Sequence, residues 1–490
     1  MENKKTFKVI LIGMLIYILL SWIIVSGNFS SGSFNSKGFN QVGIFDILSA
    51  PLQLFNYFAV TMTKNIDGFV NQVAYVNIIV AFICIGIFYG VLNKTGVYHI
   101  LINDIEEKVH KKKGIFLIVV ASIYFLFSAL TGLNLISFMF FPALSAILSK
   151  LKYNKPTIFM STIGACILGI SASILNPTIN GLNRVIFGLS INDNLVTRII
   201  YLIMLLIVLI AFLVLKRNKE VDSYESLPLI VDTELKSASK KRKKVISHKS
   251  YYPIVITTII MTVVLFVCMY NWYYIFNSST ITSAYDRVLA SNINNYTFMK
   301  NIFGMSESFG YWTGFNMSLL LLLASLVISF MYRIKFNDML DSAKEGIIQM
   351  LPTVFYSIIS LSVIVISLNN NTSFVYSIIN NMFKFNNLVL GIFSASFIHN
   401  FFINDYFALL SSLSSPLLNI YGADKIGNTL FTAQVGHGLV SFITPFNVYL
   451  IAGLSFLNLS YTQWIKYVWK FLVIVFILSF VVLFITVLAV

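Results

Sequence analysis

The residues best equipped to do chemistry lie in two polar interruptions of otherwise apolar sequence. The first, residues 171–184, holds Asn176-Pro177, Asn180, Gly181, Asn183 and Arg184. The second, residues 433–447, holds Gln434, Gly436-His437-Gly438, Ser441, Thr444-Pro445 and Asn447. Neutral amides and hydroxyls hydrogen-bond a carboxylate or coordinate a cation, an arginine pairs with both oxygens of a carboxylate, and an unperturbed imidazole titrates near neutral pH. Hydrocarbon offers no water to free backbone groups, so a helix broken at membrane depth persists only beside protein or a wet cavity. Half-helix N-termini there favour an anion, and unwound carbonyls favour a cation. Asn176, Asn180, Arg184, Gln434, His437, Ser441, Thr444 and Asn447 are therefore the expected solute-binding residues, with Pro177, Gly181, Gly436, Gly438 and Pro445 as backbone hinges. His399, Asn404 and Asp405, around Asn400-Phe401-Phe402-Ile403, are secondary candidates at the end of an apolar span.

Plainer readings stand beside these. Arg184 reads equally as a snorkelling residue at a helix end, and Asp405 as a marker of the cytoplasmic surface. Gly164, Gly169, Gly436 and Gly438 suit close helix packing as well as they suit a ligand. There is no Walker motif, His-Glu zinc motif or Gly-x-Ser-x-Gly elbow, so the sequence predicts no catalytic residue, metal centre or ATP-driven step. Cys84, Cys166 and Cys268 each sit alone within an apolar stretch and show neither metal-ligand nor disulfide spacing.

The elements that must hold these residues are membrane helices. Of 490 residues 57% are hydrophobic and only 11% charged, which excludes a water-soluble globule. The net charge of +15 comes from short basic runs between apolar stretches, the pattern of the positive-inside rule, so no nucleic-acid partner is expected. Lys4, Lys5 and Lys8 precede a span from Val9 to Val25, which predicts a retained first helix and a cytoplasmic N-terminus. A mixed stretch from Val42 to Leu52, with Asp46 and Pro51, suits an in-plane arm. Further spans are expected at 76–92, 115–130, 157–175, 196–215, 254–276, 315–331, 353–368, 388–403, 406–420, 428–443 and 467–490. Residues 133–148 either cross or form half of a re-entrant hairpin, and Lys150, Lys152 and Lys155 favour a crossing.

The two interruptions occupy corresponding places, and a second arm-like stretch at 336–343 again precedes a span. Paired discontinuous helices in two halves of a hydrophobic chain are the signature of an inverted-repeat transporter. The expected organisation is a first repeat unit (1–215), a basic cytoplasmic linker (216–252) containing Lys240-Lys241-Arg242-Lys243-Lys244, a linking helix and loop (253–310) and a second unit (311–490). The fold class is an all-α polytopic membrane protein: two inverted repeats with broken or re-entrant helices and roughly 11–13 membrane segments.

Several short segments, in order and at similar spacing, resemble the YfcC-type carriers, relatives of the anaerobic C4-dicarboxylate carriers within the ion transporter superfamily. They are Gly43-Ile44-Phe45-Asp46 with Ala50-Pro51, residues 90–96, residues 172–177 with Gly181 and Gly188, Asn400-Phe401-Phe402-Ile403, and residues 434–445. The resemblance implies secondary transport of organic anions or amino acids through two inverted units, and the family is often labelled basic amino-acid antiport. The departures lie where acids are typical. Leu135-Ile136 stands for a paired-acid segment, Gly436-His437-Gly438 for Gly-Asp-Gly, Asn404-Asp405-Tyr406-Phe407 for a small Pro-Ser-Gly-Ser-Gly turn, and Arg184 for a neutral residue.

The sequence therefore predicts a secondary active transporter of a small carboxylate-bearing solute, an amino acid or dicarboxylate, moved across the cell membrane by alternating access. Its partners are that solute and the bilayer, with no cofactor, H+ or Na+ as candidate coupling ions, and a homodimer compatible with the reading. The alternative within the class is a basic amino-acid antiporter of arginine/ornithine type. The alternative outside it, a membrane-embedded lipid-processing enzyme, lacks a catalytic cluster in the loops.

Overall fold

Apolar side chains point outward over much of this protein. Ile12, Leu15 and Leu19 on the first helix, Ile200, Ile203 and Ile207 before the basic linker, and Val473, Ile477 and Val481 on the last helix are all exposed. Such a band needs lipid as its solvent. Among the described residues eight helices are long and apolar enough to cross a membrane, and the protein is a multi-pass membrane protein. The computed structural model describes residues 2–30, 32–39, 41–63, 75–216, 228–229, 250–291, 300, 307–369, 373–385 and 387–488. Most of the expected basic linker, Lys240 to Lys244 included, lies outside the described residues.

The first half opens with α1 (Glu2–Ile23), a two-stranded antiparallel hairpin of β1 (Ser26–Ser30) and β2 (Ser33–Gly38), and α2 (Ile44–Thr63). Then come α3 (Tyr75–Thr95), α4 (Val97–His110), α5 (Lys113–Thr131) and α6 (Asn134–Lys150). Helix α7 (Lys155–Ser171) is capped by Asn154, whose side chain accepts the Thr157 N–H, and contains a π-helical turn at Met160–Gly164. After a break at 172–176 the chain resumes as α8 (177–187), which opens with a π-helical turn, and α9 (Leu195–Lys216).

The connecting region comprises α10 (Tyr252–Met269), α11 (Trp272–Phe276) and α12 (Thr280–Leu289). The second half has α13 (Gly314–Met331), α14 (Phe336–Asn369), α15 (Phe374–Met382), α16 (Leu388–Phe402), α17 (Tyr406–Tyr421) and α18 (Ile426–Ser441). After a second break at 442–447 come α19 (Val448–Phe456) and α20 (Tyr461–Leu488).

Two expectations change here. The stretch at 336–343 is not a separate arm: it is the start of α14, a continuous helix of 34 residues. The single span expected at 254–276 is divided at Tyr270-Asn271, where the Asn271 side chain accepts the Tyr274 N–H and starts α11. Residues 133–148 form one arm of a hairpin: Gly132, at φ +67, turns α5 back into α6, with lysines at both open ends of the pair, Lys113 and Lys150. The tip of this hairpin reaches the central cavity.

Helix α3 is largely buried, packed between α13 and α14. Glycine makes that contact possible, because a Cβ on Gly346 would lie 2.0 Å from the Gly86 carbonyl oxygen. A second close crossing joins the halves: a Cβ on Gly438 of α18 would lie 2.3 Å from the Ser171 Cα at the end of α7. The two breaks thus begin beside one another.

Candidate functional site

The breaks, two hairpin tips and the connector enclose one cavity of about 420 Å³. Four helix starts meet there: Leu133-Asn134 of α6, Asn176-Pro177 of α8, Asp405-Tyr406 of α17 and Asn447-Val448 of α19. The first turns of α3 (Tyr75, Asn77) and α13 (Thr313, Gly314) complete the wall, and Asn271, Tyr274, Tyr311 and Trp312 of the connector line it too. Each helix start places unsatisfied N–H groups and positive partial charge at its end.

Side chains fix three of these starts. Asn176 Oδ1 accepts the Thr178 N–H at 2.9 Å and the Thr178 hydroxyl at 2.7 Å, while its Nδ2 donates to Ser173 Oγ at 3.2 Å. Asp405 Oδ1 accepts the Ala408 N–H at 2.7 Å, and its Oδ2 accepts the Tyr75 hydroxyl at 3.2 Å. Asn447 Oδ1 accepts the Leu450 N–H at 2.9 Å. The start of α6 has no side-chain cap.

A polar chain joins the second tip, the turn at 403–405 between α16 and α17, to the second break. Asn447 Nδ2 donates to Asn404 Oδ1 at 2.8 Å, and Asn404 Nδ2 donates to Ser441 Oγ at 3.0 Å and to the Asn400 carbonyl at 3.1 Å. Asn400 Nδ2 donates to the Ser396 carbonyl at 2.8 Å, which leaves its Oδ1 to accept from His437 Nδ1 at 2.7 Å. That bond orients the His437 ring, and in a neutral ring it sets the proton on Nδ1 and a lone pair on Nε2.

Of the expected residues, Asn176, Pro177, Asn404, Asp405, His437, Ser441 and Asn447 line the cavity together. The others do not. Asn180 donates to the Ser173 and Ile174 carbonyls, and Gln434 donates to the Ser171 and Ser173 carbonyls, so both brace the first break. Thr444 donates to the Phe401 carbonyl at 2.6 Å, tying the second break to the hairpin tip. Pro445 offers its carbonyl to the Ser360 hydroxyl. His399 is fully buried, and neither ring nitrogen has a partner.

Two placements correct the sequence reading. Gly436-His437-Gly438 is not part of a break, because α18 continues through it to Ser441. Its glycines serve packing, with Gly436 against Ser396 and Gly438 against Ser171, and Gly181 similarly admits Tyr274. Arg184 does not line the cavity: its Nη1 donates at 3.2–3.4 Å to the carbonyls of Tyr273, Tyr274 and Ile275 near the end of α11. Cations favour that end of a helix.

The sequence reading missed the first tip, Thr131-Gly132-Leu133-Asn134, and the walls supplied by α3 and the connector. The available signal was a Thr-Gly-x-Asn turn between two apolar runs. Among the described residues no cluster of three or more His, Cys, Asp or Glu side chains could hold a metal ion.

Comparison with known proteins places residues 4–488 in a match to the family described as C4-dicarboxylate anaerobic carrier. No curated protein matches the chain. A structural similarity extends over 98% of this chain and 97% of the Alcanivorax borkumensis YdaH transporter, whose crystal structure has an unusual topology, at a TM-score of 0.37 and 11% identity.

Proposed function

The chain belongs to the family of C4-dicarboxylate anaerobic carriers and is a transporter, not an enzyme; from that premise we propose that it carries a small carboxylate-bearing solute, a dicarboxylate or an amino acid, across the cell membrane by alternating access. The observation that carries the proposal is the convergence of four helix starts on one cavity whose walls, among the described residues, include no lysine or arginine. Backbone N–H groups and helix ends attract a carboxylate without a formal counter-charge. Asn404, Asn447, Ser441 and His437 supply polar atoms next to them. The two halves act as inverted units, with the N-terminus in the cytoplasm.

The coupling ion is H+ or Na+. Asn180 Oδ1 and Gln434 Oε1 are buried acceptors without a partner, and the amide nitrogens of both residues donate to the same Ser173 carbonyl. Acceptors in such a setting suit a small cation. Asp405 provides the one carboxylate in the cavity wall among the described residues.

Asp405 also favours a second reading, in which it receives the ammonium group of a basic amino acid in exchange transport. Counterflow in proteoliposomes loaded with succinate, aspartate, arginine or ornithine separates the two. Exchange of succinate or aspartate is expected. Exchange of arginine and ornithine with none for the acids would replace the proposal by the antiport reading.

A further inference from the structure

The cavity has walls of two kinds. Asn404, Ser441, Asn447 and His437 belong to one hydrogen-bonded network at the second tip and second break. The other wall is apolar. The connector contributes Met269, Tyr274, Tyr311 and Trp312, and α8, which packs on the connector where Gly181 admits Tyr274, adds Ile179 and Leu182.

The connector rings are held from behind. The Tyr274 N–H donates to Asn271 Oδ1 at 3.0 Å, and its carbonyl accepts from Arg184 Nη1 at 3.3 Å. Its ring meets that of Tyr311 edge-on, with centroids 6.3 Å apart and planes at 89°. The Trp312 backbone N–H donates to the Cys268 carbonyl at 3.0 Å, and the indole Nε1 donates to the Glu307 carbonyl at 3.0 Å. The one polar atom of that side chain is thus taken, and what the indole offers the cavity is apolar surface.

Size and charge decide what such a wall is for. The cavity, at about 420 Å³, falls in the range of pockets that enclose drug-sized ligands, and a four-carbon acid would leave most of it unfilled. A second carboxylate on the solute would meet no lysine or arginine among the described lining residues and would add to the negative charge of Asp405. Affinity beyond one carboxylate contact therefore has to come from the apolar side.

We infer that Tyr274, Tyr311 and Trp312 form a subsite for the apolar part of the solute, so that the carrier prefers carboxylates bearing an aromatic or branched aliphatic group to small acids. The inference rests on the carboxylate transport proposed above: the helix starts and the polar network take the carboxylate, and the connector rings take the rest. Burying a phenyl-sized group there improves affinity about tenfold or more. Succinate and aspartate are carried at lower affinity.

The test is counterflow in proteoliposomes of the full-length protein, with KM read for two matched pairs: succinate and phenylsuccinate, alanine and phenylalanine. In a pair that is carried, the phenyl-bearing member should have a KM lower by about tenfold or more. Trp312→Ala and Tyr274→Ala should bring that ratio towards one while the KM for succinate changes less than about threefold, and Trp312→Phe should keep most of the advantage. A ratio within one preparation does not respond to loss of folded protein. Exchange of succinate or aspartate with the phenyl-bearing solutes excluded, or no better than their partners, overturns the inference and leaves carboxylate transport standing. An advantage unchanged in both alanine variants also overturns it. Exchange of none of the four solutes, nor of aspartate, overturns both readings. Should either alanine variant not fold, Tyr311→Ala decides in its place.

Discussion

Asn447 and Asn404 share a hydrogen bond of 2.8 Å across 43 residues of sequence, and it fastens the second hairpin tip to the second helix break. The same Asn447 side chain caps α19 through its oxygen, so one amide both starts a helix and positions a neighbour.

Asn447→Asp separates these roles. The carboxylate keeps the cap but cannot donate to Asn404, so folding stability should fall by about 1–3 kcal/mol. It also adds negative charge where a carboxylate is proposed to bind. Solute uptake per folded molecule should fall tenfold or more. Normal uptake would show that the solute does not approach this break.

Asp405→Asn removes a charge and keeps a competent cap for α17. Uptake driven by an ion gradient should fall to the level of passive exchange, while solute counterflow without a gradient persists. Loss of both to the same extent would assign Asp405 to solute binding instead of coupling.

Arg184→Ala tests a residue that the sequence places with the solute and the structure places on backbone carbonyls. The expected result is a lower maximal rate with the KM for solute changed less than about threefold, because the solute contacts remain. Binding to a lost arginine partner would instead weaken by well over tenfold, as removal of a desolvated charge partner costs about 2–5 kcal/mol. Titrating uptake against solute concentration reads the difference.

Glu307, in the connector, is partly buried with Oε2 unpartnered, and burial pushes its carboxyl pKa up from the usual value. The folded state therefore prefers the protonated acid. Its relative stabilisation is present below the unfolded carboxyl pKa and is lost as pH rises through the higher folded value. Glu307→Gln should unfold at a higher temperature than the natural protein at pH 7, and the gap should close as pH falls through the carboxylate range. A constant gap across that range would mean that the charge is not the cause.

Much of this site was legible because its signals are local. Asn176-Pro177 and Asn447 are cap residues that read as helix starts in any context, and Asn404-Asp405 follows an apolar run as a cap does. The misread residues depend on distant neighbours. Gly436 and Gly438 look like a break until Ser396 and Ser171 are seen against them. Arg184 looks like a solute ligand until the carbonyls of a segment 89 to 91 residues away take up its donors.

The crossing of Gly438 and Ser171 behaves mechanically as a rivet. A single added methyl group would sit 2.3 Å from the Ser171 Cα, so α7 and α18 have no clearance to slide past one another. Each helix ends within a turn or so of its own break, so motion of one break must drag the other. In a working cycle the groups proposed to hold the solute would shift as one rigid cargo bay, and the flexing would fall on the joints around it, at Gly132, at Asn271 and in the connector.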